Sequence, residues 1–325
     1  MRNIIYIINP VSGPGSSAFA KAPADKKKDL QQFIEKKTTA QKISYRVFPS
    51  VASGDYSFLR PFIKELGITD VVIAGGDGTV SQVVGSLIDC DVNFGIIPCG
   101  SGNGLAFAAK IPKQRAGAME IIFNGKAAAI DGFYANDRFA CMLCGFGFDA
   151  RVAHDFADQA NRGLATYVRL ALKNFFAMKK HRFQVQLQDT TFETKAYFIS
   201  IANSNQFGNN FTIAPKASLS DGLLDIVIVT SKNKISFIWQ TLKQLAGWNK
   251  LLRKESIGQA ESLVKENKTR PDGKVRRGLI YFQTDNLNII NLSNAPLHID
   301  GEPAETVTKL KIAVKKKCFR LLQPV

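Results

Sequence analysis

Cysteine is scarce in this sequence, and its five copies (Cys90, Cys99, Cys141, Cys144 and Cys318) are an odd number with no framework spacing. That excludes a small disulfide-stapled scaffold. Cys141 and Cys144 have the spacing of half a zinc site, but no second pair and no nearby histidine pair completes it. They read as buried thiols of an apolar run. Histidine is scarcer still. His154, His181 and His298 share no metal-like spacing and no nucleophile pattern, which argues against a hydrolase triad. Long hydrophobic runs are also missing: Phe139–Phe148 is broken by two glycines and stops far below the ~20 residues of a membrane span. The opening MRNIIYIINP lacks the long apolar core and cleavage site of a signal peptide and reads as a buried strand. A cytoplasmic protein without a membrane span is therefore expected. No GxxxxGK[ST] motif occurs, which closes the P-loop route to ATP.

What is present is ordinary globular material, 45% hydrophobic and 22% charged, and 325 residues are enough for two domains with real cores. The balance of charge is unusual: 43 Lys and Arg against 27 Asp and Glu leave +16. Such an excess draws a protein toward polyanions, whether nucleic acid, an anionic membrane face or phosphate-rich ligands, and charge alone does not choose among them.

The first third alternates buried-strand runs (Ile4–Ile8, Ile43–Phe48, Val71–Ala74, Phe94–Pro98) with helical patterns (Lys26–Lys37, Ser57–Leu66, Val80–Leu87, Leu105–Lys110). Strand, glycine-rich turn and helix in repetition predict βα units on a parallel sheet, with ligands at the carboxyl ends of the strands. From about Ile130 the texture changes to β-branched and aromatic runs separated by turn signals, such as Phe183–Leu187, Ala196–Ala202, Leu224–Thr230, Asn286–Leu292 and Lys309–Val314. This predicts a mainly antiparallel second domain, with helices near Leu164–Ala177 and Ile235–Leu252. The polar, basic stretch Arg253–Gly278 follows. It fits a solvated loop after a core helix, or, together with Ser236–Leu252, a surface that docks on anionic membrane.

Three turns carry the chemistry. In TDVVIAGGDGTVSQVV (Thr69–Val84), two glycines let backbone approach a ligand, and Thr79 with Gln82 has the spacing of a capping box at a helix start. Helix N-termini favour phosphate, yet Asp77 sits in that turn, where a carboxylate would repel bare phosphate. Its presence makes sense if it holds Mg²⁺ or takes a proton from an attacking hydroxyl; the plainer alternative is a local cap. Asn9–Gly13 and Gly100–Gly104 also follow strands, and the three turns together favour a polyphosphate cradle. Further acids stand out at Asp131, Asp149, Asp221 and Glu302, although Asp221-Gly222 and Asp300-Gly301 are also plain turn signals.

Together these residues resemble the diacylglycerol kinase catalytic-domain family, which includes bacterial lipid kinases and sphingosine kinases. The matching stretches occur in family order: NPVSG (Asn9–Gly13), GGDGT (Gly75–Thr79), PCGSGNGLA (Pro98–Ala106), PKASLSDGLLD (Pro215–Asp225) and IDGE (Ile299–Glu302). The resemblance implies an N-terminal α/β parallel-sheet nucleotide domain, residues 1–130, then a mainly antiparallel β-sandwich lipid domain, residues 131–304. The tail 305–325 is a candidate to return to the first. It implies transfer of the ATP γ-phosphoryl group to a lipid hydroxyl with Mg²⁺ as cofactor. Asn9, Ser12, Gly13, Gly75, Gly76, Gly78, Thr79, Ser101 and Asn103 would surround the nucleotide. Asp77 would be the acid beside the phosphates and the leading general base, Glu302 would approach the Mg²⁺–phosphate end, and Asp131 would join them. A structural Mg²⁺ site would use Asp221 with the carbonyls of Ser218 and Leu223.

Some positions depart from the bacterial pattern: Pro14 and Phe107 replace basic residues, and Gly104 replaces an aspartate. The Ser101-Gly102-Asn103 version resembles sphingosine and ceramide kinases, in which Asp149 would contact the substrate headgroup. The expected partners are ATP, a diacylglycerol or sphingoid-type lipid and, reversibly, an anionic membrane surface, but no nucleic acid; the oligomeric state is left open. Two alternatives are a kinase acting on NAD or another soluble nucleotide, and a non-catalytic nucleotide- or membrane-binding protein.

Overall fold

The computed structural model describes residues 2–9, 24–159, 164–208, 211–212, 214, 217–230 and 279–325. Its first half alternates strand and helix: β1 (Asn3–Ile8), α1 (Ala24–Ala40), β2 (Ser44–Pro49), α2 (Leu59–Glu65), β3 (Asp70–Gly75), α3 (Asp77–Leu87), β4 (Asn93–Pro98), α4 (Gly104–Ala108) and α5 (Arg115–Asn124). The strands pair in parallel in the order β2-β1-β3-β4. The unbroken apolar runs of β1 and β3 follow from having both faces covered. Leu30 and Ile34 of α1 with Met119 and Ile122 of α5 lie on one face. Leu59 and Ile63 of α2 with Val80, Val83, Val84 and Leu87 of α3 lie on the other. Each such buried side chain contributes roughly 1.5–3 kcal/mol.

The second half opens with β5 (Lys126–Ala135), β6 (Arg138–Ala140), β7 (Leu143–Gly147), α6 (Phe148–Ala157) and α7 (Leu164–Ala177). Then come β8 (His181–Gln186), β9 (Thr191–Ala196), β10 (Phe198–Ala202), β11 (Gln206–Gly208), β12 (Phe211–Thr212) and β13 (Leu224–Val229). The described chain closes with β14 (Leu279–Thr284), β15 (Asn286–Asn291), β16 (Leu297–Ile299), β17 (Glu302–Ala304) and β18 (Lys309–Gln323). An antiparallel sheet in the order β14-β13-β10-β7-β16-β17 shares one core with β5, β8, β15 and β18. Phe146, Ile199 and Ile226 come from the first group, and Phe133, Phe183, Ile289 and Ile312 from the second.

Both expected architectures are present, but among the described residues they share a sheet. β18 runs parallel to β4 at Arg320↔Asn93 and antiparallel to β5 and β15, giving β2-β1-β3-β4-β18-β15-β8-β9. Other differences are local. Helix α3 begins at Asp77 with Gly76 as N-cap, so Thr79 lies inside the helix and is not its cap. The apolar run Phe139–Phe148 is split at Cys141-Met142 between β6 and β7, and helices α5 and α6 are additions to the sequence-based pattern. The stretches expected as a helix over 235–252 and a basic segment over 253–278 lie outside the described residues. Among the described residues no helix is long and apolar enough to cross a membrane.

Candidate functional site

The carboxyl ends of β1, β3 and β4 lie side by side, Ile8 against Ala74 and Gly75 against Pro98, so the turns that leave them share one rim. Asn9 leaves β1 with its N–H on the Ala74 carbonyl (2.9 Å), and its Nδ2 donates to Thr79 Oγ1 at 2.8 Å. The glycines of this rim let chain pass chain. A Cβ on Gly100 would stand 2.6 Å from Gly76 Cα, and one on Gly75 would stand 2.9 Å from Thr79 Cβ. Asn103, buried at φ 54°, folds its turn back on Gly100: Oδ1 accepts the Gly100 N–H at 2.8 Å and Nδ2 donates to the Gly100 carbonyl at 2.7 Å. Asn103 thus shapes the rim from within, while Ser101 beside it is half-buried. Ser12 and Gly13 lie outside the described residues.

Asp77 opens α3 at the centre of this rim. Its carboxylate accepts the N–H of Gly104 at 3.0 Å and of Leu105 at 3.4 Å, so it caps the start of α4. Desolvation is nevertheless the largest influence and pushes the carboxyl up to about 6, with the charge of Asp300 adding to the rise and the backbone hydrogen bonds opposing it. Glu302, half-buried on β17, lies across the same helical turn. A Cβ on Gly78 would be 3.1 Å from both Cγ and Oε1 of Glu302, so Gly78 is the gap that admits this side chain. The structure therefore brings Asn9, Thr79, Asp77, Gly78 and Glu302 together.

Asp131 is placed otherwise. Fully buried on β5, it accepts the N–H of Gly222 at 2.7 Å and of Lys317 at 2.6 Å, and its own N–H donates to the Leu219 carbonyl at 2.7 Å. It fastens the 217–223 turn to the bulge in β18, where register shifts between Lys315 and Phe319, and neither of these carboxylate bonds reaches Asp77. Asp221, Ser218 and Leu223 share that turn. Asp221 is exposed, and its Oδ1 accepts the Leu223 N–H at 3.1 Å. Among the described residues no cluster of three or more His, Cys, Asp or Glu is arranged to hold a metal. Asp149, in the first turn of α6, is buried: Oδ1 accepts the Ala150 N–H at 2.9 Å and Oδ2 lies 3.3 Å from His298 Nε2.

The residue that sequence reasoning missed is Asp300. Asp300-Gly301 was legible as a hairpin signal, and both residues have positive φ, 50° and 78°. A plain turn would leave its residues exposed, but Asp300 is buried and its carboxylate is bonded to α3 and to the β6–β7 connection.

Comparison with known proteins matches two family models in succession along the chain. Residues 3–135 match the family model described as "Diacylglycerol kinase catalytic domain", and residues 143–253 match "YegS C-terminal NAD kinase beta sandwich-like domain". A "Probable lipid kinase YegS-like" of Enterobacter sp. (strain 638) is 31% identical over 186 residues, 55% of this chain and 62% of the relative. A protein of the same description from Citrobacter koseri is 30% identical over 189 residues, 56% of this chain and 63% of the relative. The chain thus spans less than two thirds of the length of these curated relatives. The crystal structure of a diacylglycerol kinase from Bacillus anthracis str. Sterne superposes with a TM-score of 0.67 at 15% identity, over 99% of this chain and 97% of that one. At that identity the likeness establishes the fold.

Proposed function

From the match of residues 3–135 to the diacylglycerol kinase catalytic domain and of residues 143–253 to the YegS C-terminal domain, we propose that this chain is an ATP- and Mg²⁺-dependent kinase that phosphorylates a lipid hydroxyl. The observation that carries the reading is the packing of Glu302 against Gly78, the residue after Asp77, at the first turn of α3, on the rim where a parallel sheet binds ligands. The lipid hydroxyl attacks the γ-phosphorus, the new oxygen–phosphorus bond forms as the bond to the β-phosphate oxygen breaks, and ADP leaves. Asp77 takes the hydroxyl proton. A carboxyl raised to about 6 is mostly ionised at neutral pH yet still basic enough for that task. The start of α3 favours the phosphates, and the Asn9 bond to Thr79 holds the β1 turn against it.

The residues fit Mg²⁺, since their donors are all oxygen: the Glu302 carboxylate beside Gly78, and Asp221 with the carbonyls of Ser218 and Leu223 on the other turn. When bound, the ion would neutralise charge on the phosphates. Asp149 is the acid we assign to the lipid headgroup, and the net charge of +16 supports reversible binding to an anionic membrane.

The test is phosphorylation of a panel of diacylglycerol, sphingoid base and phosphatidylglycerol in mixed micelles with labelled ATP. A labelled lipid is expected, and Asp77→Asn lowers its formation by about 10²–10⁴-fold. A wild type inert across the panel, or one that labels NAD in detergent-free buffer, overturns the reading.

A further inference from the structure

Asp300 sits at the tip of the β16–β17 hairpin, where Ile299 pairs with Glu302 across a two-residue turn. Hairpin tips ordinarily face water, as Gly301 does here, but Asp300 is buried, at 4% exposure. Its carboxylate accepts the N–H groups of three consecutive residues, Cys141, Met142 and Leu143, each at 2.9 Å. The Ser81 hydroxyl of α3 bonds to the same carboxylate, and the Asp300 N–H returns to the Leu143 carbonyl at 2.7 Å. Consecutive N–H groups converging on an anion form a nest, here filled by a side chain of the protein itself. Four donors exhaust the acceptor sites of a carboxylate.

Ser81 lies four residues beyond Asp77, so the two side chains stack one turn apart on the same face of α3. Glu302 lies two residues beyond Asp300 and reaches Gly78 on that helix. One buried carboxylate therefore joins the helix that carries Asp77, the hairpin that carries Glu302 and the connection leading through β7 to Asp149.

We propose that Asp300 is a positioning residue of the phosphoryl-transfer site: it clamps the β16–β17 hairpin and the 141–143 connection onto α3, so that Glu302 is held against Gly78 in the turn that Asp77 opens. The proposal rests on the kinase reading for its consequence and on the geometry alone for the clamp. A charged acceptor suits this place because an amide at position 300 keeps one acceptor oxygen and turns its NH₂ toward backbone N–H groups.

The experiment has two arms on the full chain. Hydrogen exchange read by mass spectrometry, without lipid or nucleotide, compares wild type with Asp300→Asn and Ser81→Ala. Faster exchange at 141–143 and in the first turns of α3 is expected in Asp300→Asn, and in α3 for Ser81→Ala. Unchanged exchange in both variants overturns the clamp whatever the protein catalyses. The second arm is a kinetic double-mutant cycle. Glu302→Gln is expected to lower kcat by about 10²-fold in the wild-type background and by less than about tenfold in Asp300→Asn, with KM for ATP little changed. Equal losses in both backgrounds overturn the positioning role, since a residue that only stabilises the fold leaves Glu302 equally effective. If wild type is inert on every lipid while exchange responds as expected, the kinase reading fails and the clamp is upheld. Should Asp300→Asn not fold, Ser81→Ala carries both arms.

Discussion

At Asp77, burial and the Asp300 charge raise the carboxyl while the Gly104 and Leu105 N–H groups lower it, and the balance stands at about 6. A base must be unprotonated to act. Lipid phosphorylation should therefore climb as pH rises through about 6 and be lost below it, read as the acid limb of kcat/KM against pH. A limb near the ordinary carboxylate range would mean that Asp77 is not the base. The neighbouring glycines offer a second test. At Gly100 a new Cβ meets the Gly76 Cα at 2.6 Å, backbone against backbone, with no flexible side-chain end to move aside. Gly100→Ala should cost about 1–3 kcal/mol, measured by denaturant midpoint, and misplace the rim.

Among the elements, the 217–223 turn and the β18 bulge depend on one buried side chain. Asp131→Ala leaves the N–H groups of Gly222 and Lys317 without their acceptor, and should cost on the order of 3 kcal/mol. Limited proteolysis should then open the turn while the parallel strands stay protected; an unchanged pattern would contradict the fastening role. This level also marks what the sequence can and cannot convey. β1 and β3 are legible because burial on both faces leaves an unbroken apolar run. α6 is not, because the apolar stretch Phe139–Phe148 that leads into it favours strand, and only Gly147, at φ 98°, turns the chain into the helix. Asp77 and Glu302 stand out as acids in glycine-rich turns. Asp300 does not, because the groups that draw its carboxylate inward lie 157 to 219 positions away. A local pattern names the turn and is silent about which way its side chain faces.

For the whole molecule, the surplus of +16 is expressed in part along β18, where Lys309, Lys311, Lys316 and Lys317 are exposed. Sedimentation with phosphatidylserine vesicles should show binding that weakens steeply with salt, since the Debye length falls to about 10 Å at 0.1 M. Neutral vesicles should retain little protein, and salt-independent binding would point to apolar insertion instead. The strand that displays these lysines also lies between β4 and β15, joining the parallel strands to the antiparallel ones. During synthesis on the ribosome, then, the parallel part of the sheet stays incomplete until residues 309–323 have emerged from the exit tunnel. Neither half can finish folding ahead of the other, and a fragment ending before that strand would expose the flank of β4 to aggregation.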